Sequence, residues 1–135
     1  MTPNIERDYS HRTLFDKLGL RSDMHVAMIG NHDEAFSKEV SARLPSGPST
    51  QLRTKYDMIF LRVDDKSDLK IVPRAEEHLK PDGALWIFHP KGKGANPTDA
   101  EVRAAGLAAG LVDNKISSYT DSHTATRYVI PRERR

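Results

Sequence analysis

The chain has 135 residues, enough for one domain with a modest core. Hydrophobic residues make up 37% and charged residues 30%, with a net charge of +2, the profile of a globular domain with a polar surface. The absence of cysteine excludes disulfides, zinc ribbons and thiol catalysis and fits a cytoplasmic protein. No run is long enough to span a bilayer, and the opening MTPNIERDYSHR lacks the apolar core of a secretion signal. The small positive excess lies partly in PRERR, a basic tail over 131–135 that is expected to be flexible, so nucleic acid is not the expected partner.

Tyr9 to Leu20 reads as a short helix with Leu14, Phe15 and Leu18 on one face and Gly19 as its stop. Met24 to Ile29 is an apolar run that fits a strand buried on both faces. Asn31 is placed to cap the next helix, with Glu34 as its reciprocal partner, and Phe36, Val40 and Leu44 follow at spacings of four. Pro45 ends that helix, and 46–54 is rich in turn formers.

Met58 to Val63 is a second strand. Asp64 and Asp65 offer caps to a helical stretch reaching about Leu79, and Pro73 predicts a kink or a second short helix opening there. Pro81-Asp82-Gly83 reads as a tight turn, Ala84 to His89 as a third strand, and Pro90 to Pro97 as an open basic loop. Thr98 and Glu101 form a capping box for a helix that Gly110 terminates, with Val102, Ala105 and Ala109 on one side. Leu111 to Tyr119 and Thr124 to Ile130 then flank a hairpin-like turn at Thr120 to His123. Strands alternating with helices imply a mainly parallel sheet with helices on both faces, and the hairpin adds an antiparallel strand.

Three stretches carry a resemblance. Tyr56-Asp57-Met-Ile-Phe-Leu61, Leu79-Lys-Pro-Asp-Gly-Ala-Leu-Trp86 and the terminal helix with its hairpin look like the fourth strand, the turn into the fifth strand, and the closing helix and antiparallel pair of the class I S-adenosylmethionine-dependent methyltransferases. A closer likeness is to a small, uncharacterised bacterial family of short methyltransferase-like proteins. It rests on Lys17-Leu-Gly19, Tyr56-Asp57, Gly83-Ala-Leu-Trp86 and Pro90-Lys91 and covers most of residues 9 to 130. The resemblance implies a single reduced Rossmann-like domain over 1–135, a three-layer sandwich with a mainly parallel sheet of about five strands and a C-terminal antiparallel hairpin. It implies S-adenosylmethionine as the cofactor, and methyl transfer if the chain is an enzyme.

The sequence departs from that family in two places. The first strand ends Met28-Ile29-Gly30 with one glycine, where the family has an acidic residue and a glycine-rich turn that lets backbone approach the cofactor. Only eleven residues separate Leu44 from Tyr56, too few for two further strands and a helix. The second and third strands are therefore expected to be missing, and with them the carboxylate that holds the ribose. The edge they leave is open to pairing with a second copy as a homodimer, or to cover by a loop.

In an open parallel sheet, ligands collect at the carboxyl ends of the strands, which selects three loops. Gly30, Asn31, His32 and Asp33 are the candidate cofactor residues at a helix start, though a cap and a turn explain Asn31 and Gly30 as well. Arg62 to Lys66 carries Asp64 and Asp65, which can hold a cation or polar substrate or simply cap a helix. Lys91, Gly92, Lys93 and Gly94 alternate charge with permissive backbone and are the candidate anion-binding residues.

None of the six histidines is spaced as a zinc signature, so no metal is expected, although His32 and His89 would meet if their strands were neighbours. Trp86 reads as core, and no catalytic residue is assigned. The reading that follows is a small Rossmann-like domain that is not a competent methyltransferase and binds a partner protein or a small anionic ligand. The alternatives are a methyltransferase with an atypical cofactor loop, and a nucleic-acid-associated module using Lys91, Lys93 and the basic tail.

Overall fold

In a computed structural model, residues 14–135 are described. Helical residues 14–18 (α1) lead to β1 (Val26–Ile29), α2 (Glu34–Arg43), β2 (Tyr56–Arg62), a 3-10 segment (Lys66–Ile71), α3 (Val72–Glu77), β3 (Leu79–Pro90), α4 (Asp99–Ala108), β4 (Val112–Ser118) and β5 (His123–Val129). The part of the first expected helix from Tyr9 to Thr13 lies outside the described residues.

The sheet order is β1-β2-β3-β5-β4. The first three strands are parallel and the hairpin strands antiparallel to their neighbours. Alternation along the strands separates two apolar layers. Val26, Met28, Met58, Phe60, Trp86 and Phe88 face Phe15, Leu18, Phe36 and Val40 from α1 and α2. Ile59, Leu61, Leu85, Ile87 and Tyr128 face Val72, Ala75 and Val102 from α3 and α4. This is the expected three-layer sandwich. Trp86 is fully buried, and its indole N–H donates to the Leu18 carbonyl at 3.0 Å, tying α1 to the central strand.

The local chemistry sets most element ends. Asp65 accepts from the Ser67 amide while Asp68 accepts from the Asp65 amide, which starts the 3-10 segment, and Pro73 sits in the first turn of α3. Thr98 and Glu101 form the capping box of α4. Gly106 in α4 lies on the ring of Tyr128, and a Cβ there would fall 2.5 Å from Tyr128 Cε1.

Two expectations need correction. Asn31 does not cap α2. The cap position belongs to Asp33, whose carboxylate makes no cap bond because Arg62 and Tyr119 engage it. Pro81-Asp82-Gly83 is not a turn between elements but an excursion within β3. From the Tyr56–Leu79 pair to the Met58–Ala84 pair, β3 advances five residues while β2 advances two. Gly83 is required there, since a Cβ would meet the Tyr56 carbonyl at 2.8 Å.

The outer edge of β1 is not bare. Ser49 donates to the Val26 carbonyl at 2.9 Å and accepts from the Met28 amide at 2.8 Å, a single parallel bridge. The loop after α2 thus covers the edge that would otherwise be open to a second copy.

Candidate functional site

Three loops follow the carboxyl ends of β1, β2 and β3, and the β4–β5 turn comes back to the same end because β5 runs antiparallel to β3. Gly30 has a φ of 98°, a conformation open to glycine, and a Cβ there would lie 2.6 Å from the Arg62 carbonyl. Its lack of a side chain is therefore used up by close approach to β2.

His32 turns inward behind it. Its amide donates to the Gly30 carbonyl at 3.1 Å, and its Nε2 lies 2.8 Å from the Phe60 carbonyl. A carbonyl only accepts, so Nε2 carries the hydrogen and Nδ1 is the bare nitrogen. Nδ1 is buried and makes no well-formed hydrogen bond among the described residues. The ring packs against Phe36 at 5.7 Å and edge-on to Phe88 at 5.4 Å. Burial holds its pKa below the ordinary histidine value, so the ring is neutral near pH 7.

Asp33 faces outward into a chain of polar contacts. It accepts from the Tyr119 hydroxyl at 2.7 Å and from Arg62 Nη1 at 3.2 Å. Arg62 Nε donates to Asp64 at 2.8 Å, and the same oxygen of Asp64 lies 3.0 Å from His123 Nε2. The Tyr119 hydrogen bond, with the guanidinium beside it, holds the Asp33 carboxyl below its usual value. Burial and the Asp33 charge push the Tyr119 phenol well up, so it remains a donor. Reading the loops in sequence missed Tyr119 and His123. The available signal was topological, since the turn before an antiparallel strand pairing β3 must lie at the carboxyl end of β3.

The four candidate cofactor residues thus divide. Gly30 turns the chain, Asn31 is exposed, His32 points into the core and Asp33 ties the network. Asp64 and Asp65 are both engaged, Asp65 also accepting from Asn96 of the β3–α4 loop at 3.2 Å. Lys91 and Lys93 are exposed, without a carboxylate partner among the described residues, and the Lys91 amide donates to the Ser122 carbonyl at 3.1 Å. Gly92 and Gly94 both have positive φ, 92° and 75°.

His32 and His89 do not meet. β2 separates their strands, and His89 projects to the α4 side, where its Nε2 lies 2.9 Å from Thr126 Oγ1. Beside it, a cavity of about 280 Å³ opens between α4 and the hairpin. A larger one of about 370 Å³, lined by charged residues such as Asp57, Lys115 and Arg127, sits at the amino ends of the strands, away from the loops. In the basic tail, Arg134 donates to the Gly110 carbonyl and pairs with Glu76 at 3.7 Å, while Arg135 donates to the Ile130 carbonyl at 2.8 Å. Among the described residues no cluster of His, Asp and Glu is placed to hold a metal ion, and no helix is long and apolar enough to cross a membrane.

No family model and no curated protein matches the sequence. Solved structures do match. An S-adenosylmethionine-dependent methyltransferase from Aquifex aeolicus is similar with a TM-score of 0.67 and 14% identity over 89% of this chain and 89% of that one. The fold is that of the class I methyltransferases. The CcbJ methyltransferase from Streptomyces caelestis is similar with a TM-score of 0.58 at 11% identity over 88% of each chain. A methyltransferase from Pyrococcus furiosus is similar with a TM-score of 0.57 at 14% identity over 87% of this chain and 80% of that one. Against the class I methyltransferase pattern, the sheet here stops at β1, and Ser49 stands where a further strand would pair.

Proposed function

We propose that this chain is a binding domain on a methyltransferase-like scaffold, not a competent methyltransferase. Its partner protein or small anionic ligand meets the carboxyl ends of the strands. The observation that carries this reading is the seat of His32, inside the first-strand crevice with its Nε2 on the Phe60 carbonyl at 2.8 Å and its ring between Phe36 and Phe88. A cofactor loop keeps its backbone open to the ligand, whereas here a side chain of the loop itself turns into that place. Two further points support it. Gly30 is spent on passing Arg62, and among the described residues no strand beyond β1 offers a ribose-binding carboxylate. Lys91 and Lys93, on a loop with two glycines of positive φ, are the cations left for an anion.

Titration calorimetry with S-adenosylmethionine and S-adenosylhomocysteine tests the first part. We expect no binding at millimolar ligand, and micromolar binding of either overturns the reading. The likeness to solved methyltransferases favours the second reading, an S-adenosylmethionine-dependent enzyme with an atypical loop, which that result would put first. An amide-shift titration with inorganic phosphate tests the second part, and we expect saturable shifts at 91–94.

A further inference from the structure

The cavity on the α4 face brings together three unmet requirements. The first is a hydroxyl. Tyr128 is 1% exposed and lines the cavity, yet its hydroxyl makes no hydrogen bond among the described residues. The hydroxyl is not sealed in the core but opens to the cavity, so a polar group placed there is the partner within its reach. The ring cannot turn away to seek one, since Gly106 of α4 lies directly on it. His89 and Thr126 do not supply the partner. His89 Nδ1 lies 3.3 Å from the Pro90 carbonyl and so carries the hydrogen, leaving Nε2 to accept from the Thr126 hydroxyl at 2.9 Å. Those two groups satisfy each other, and the phenol is left over.

The second requirement is a charge. Arg103 is committed to Asp113 at 3.3 Å, but Lys91, at the other end of the same cavity, has no carboxylate partner among the described residues. The third is apolar cover. Ile116 lines the cavity and is 70% exposed, far more than Leu107 at 46% or Val112 at 37%. These groups come from the loop after β3 (Lys91), from β4 (Ile116, paired with Thr126) and from β5 (Tyr128). Lys91 follows Pro90, which pairs with His123, and Tyr128 lies five residues further on, roughly 17 Å along an extended strand before the side chains lean inward.

We propose that this cavity binds a small, elongated carboxylic acid with a neutral polar group at its far end, the carboxylate at Lys91, the apolar body over Ile116 and the polar group at the Tyr128 hydroxyl. The inference deepens the anion-binding part of the proposed function and adds the ligand class and the face it occupies. The cavity volume of about 280 Å³ limits the ligand to roughly the size of a single substituted ring.

The test is an amide-shift titration of the full chain with 4-hydroxyphenylacetate. Phenylacetate lacks the far polar group, and 4-hydroxybenzyl alcohol lacks the carboxylate, so the two serve as controls. We expect saturable shifts at Lys91, Ile116, Thr126 and Tyr128, tightest for the hydroxy acid. Lys91→Ala should weaken both acids by about tenfold and leave the alcohol unchanged. Tyr128→Phe, which keeps the ring on Gly106 and should melt as the parent does, should weaken only the two hydroxyl-bearing probes. Absence of saturation at tens of millimolar, or shifts confined to Gly30–Asp33, overturns the inference. If phosphate shifts 91–94 while the hydroxy acid does not saturate, this inference falls alone. If S-adenosylmethionine binds, the non-methyltransferase reading falls and this one stands.

Discussion

At the carboxyl end of β1 the chain seats His32 against Phe36 and Phe88, with its Nε2 on the Phe60 carbonyl. On the α4 face of β3 and β5 it seats His89 against Thr126 and leaves the Tyr128 hydroxyl facing an open cavity. Both histidines are neutral through burial, and both sit near the ends of strands in a fold that binds its ligands at such ends. The difference lies in what surrounds them. Around His32, three aromatic rings close on one another: Phe36 stands 5.1 Å from Phe88 and 5.3 Å from Tyr119. Around His89, the neighbours are the Thr126 hydroxyl at 2.9 Å and the exposed Asp99 carboxylate at 3.6 Å. Position in a fold nominates a site, and side-chain volume decides whether the site is open.

The sharpest way to break the contrast is to empty the filled side. Phe36 touches the rings of Phe15, His32, Phe60, Phe88 and Tyr119. Phe36→Ala should cost about 3–5 kcal/mol, read as a lower urea midpoint at unchanged slope. On the proposed reading it should not create S-adenosylmethionine binding, because the described residues form no strand beyond β1 to carry a ribose-binding carboxylate. A variant that binds the cofactor would show that the crevice was blocked by one ring alone. Gly30→Ala comes next, placing a Cβ 2.6 Å from the Arg62 carbonyl at a φ of 98°. We expect a loss of about 1–3 kcal/mol, with the hairpin network disturbed through Arg62.

Much of this is legible in the sequence. The apolar runs at β1, β2 and β3, the capping box at Thr98 and the break at Pro73 are local signals, and local chemistry decides them. The missing strands followed from counting residues between Leu44 and Tyr56. What the sequence hid depends on distant partners. Asp33 looks like a free carboxylate until Tyr119, 86 residues away, arrives to hold it. Gly106 looks like a weak point in a helix until the Tyr128 ring fills its space. The inward turn of His32 depends on the Phe60 carbonyl, which no periodicity reveals.

The two histidines also make opposite sides of the sheet respond alike to acid. Burial holds each folded pKa below the ordinary histidine value of about 6.5, so the unfolded chain binds more protons as the pH falls through that value. Stability should therefore be full above about pH 7 and should decline below about 6.5, by no more than about 1.4 kcal/mol per pH unit for each histidine. His32→Phe and His89→Gln should each flatten the decline. If one variant flattens it and the other does not, the two sides are not equivalent, and the unresponsive histidine is hydrated in solution.

The smallest effect separates the polar rim from the aromatic filling beneath it. Tyr119 contributes to both, packing 4.9 Å from the Phe88 centroid and donating to Asp33 at 2.7 Å. Tyr119→Phe keeps the ring and removes the hydroxyl. Asp33 is half exposed and retains Arg62, so water and the guanidinium offset part of the loss, and we expect about 0.5–1 kcal/mol. The clearer readout is the Asp33 carboxyl, followed by carbon-detected titration. Its depressed pKa stabilises the fold above the ordinary carboxylate value, and that contribution is lost as pH falls through the folded value. With the phenol gone, the titration should move up toward the ordinary value and the acid limb of the stability curve should grow shallower. An unmoved titration would mean that Arg62 alone holds Asp33, leaving Tyr119 as part of the aromatic filling and not of the rim.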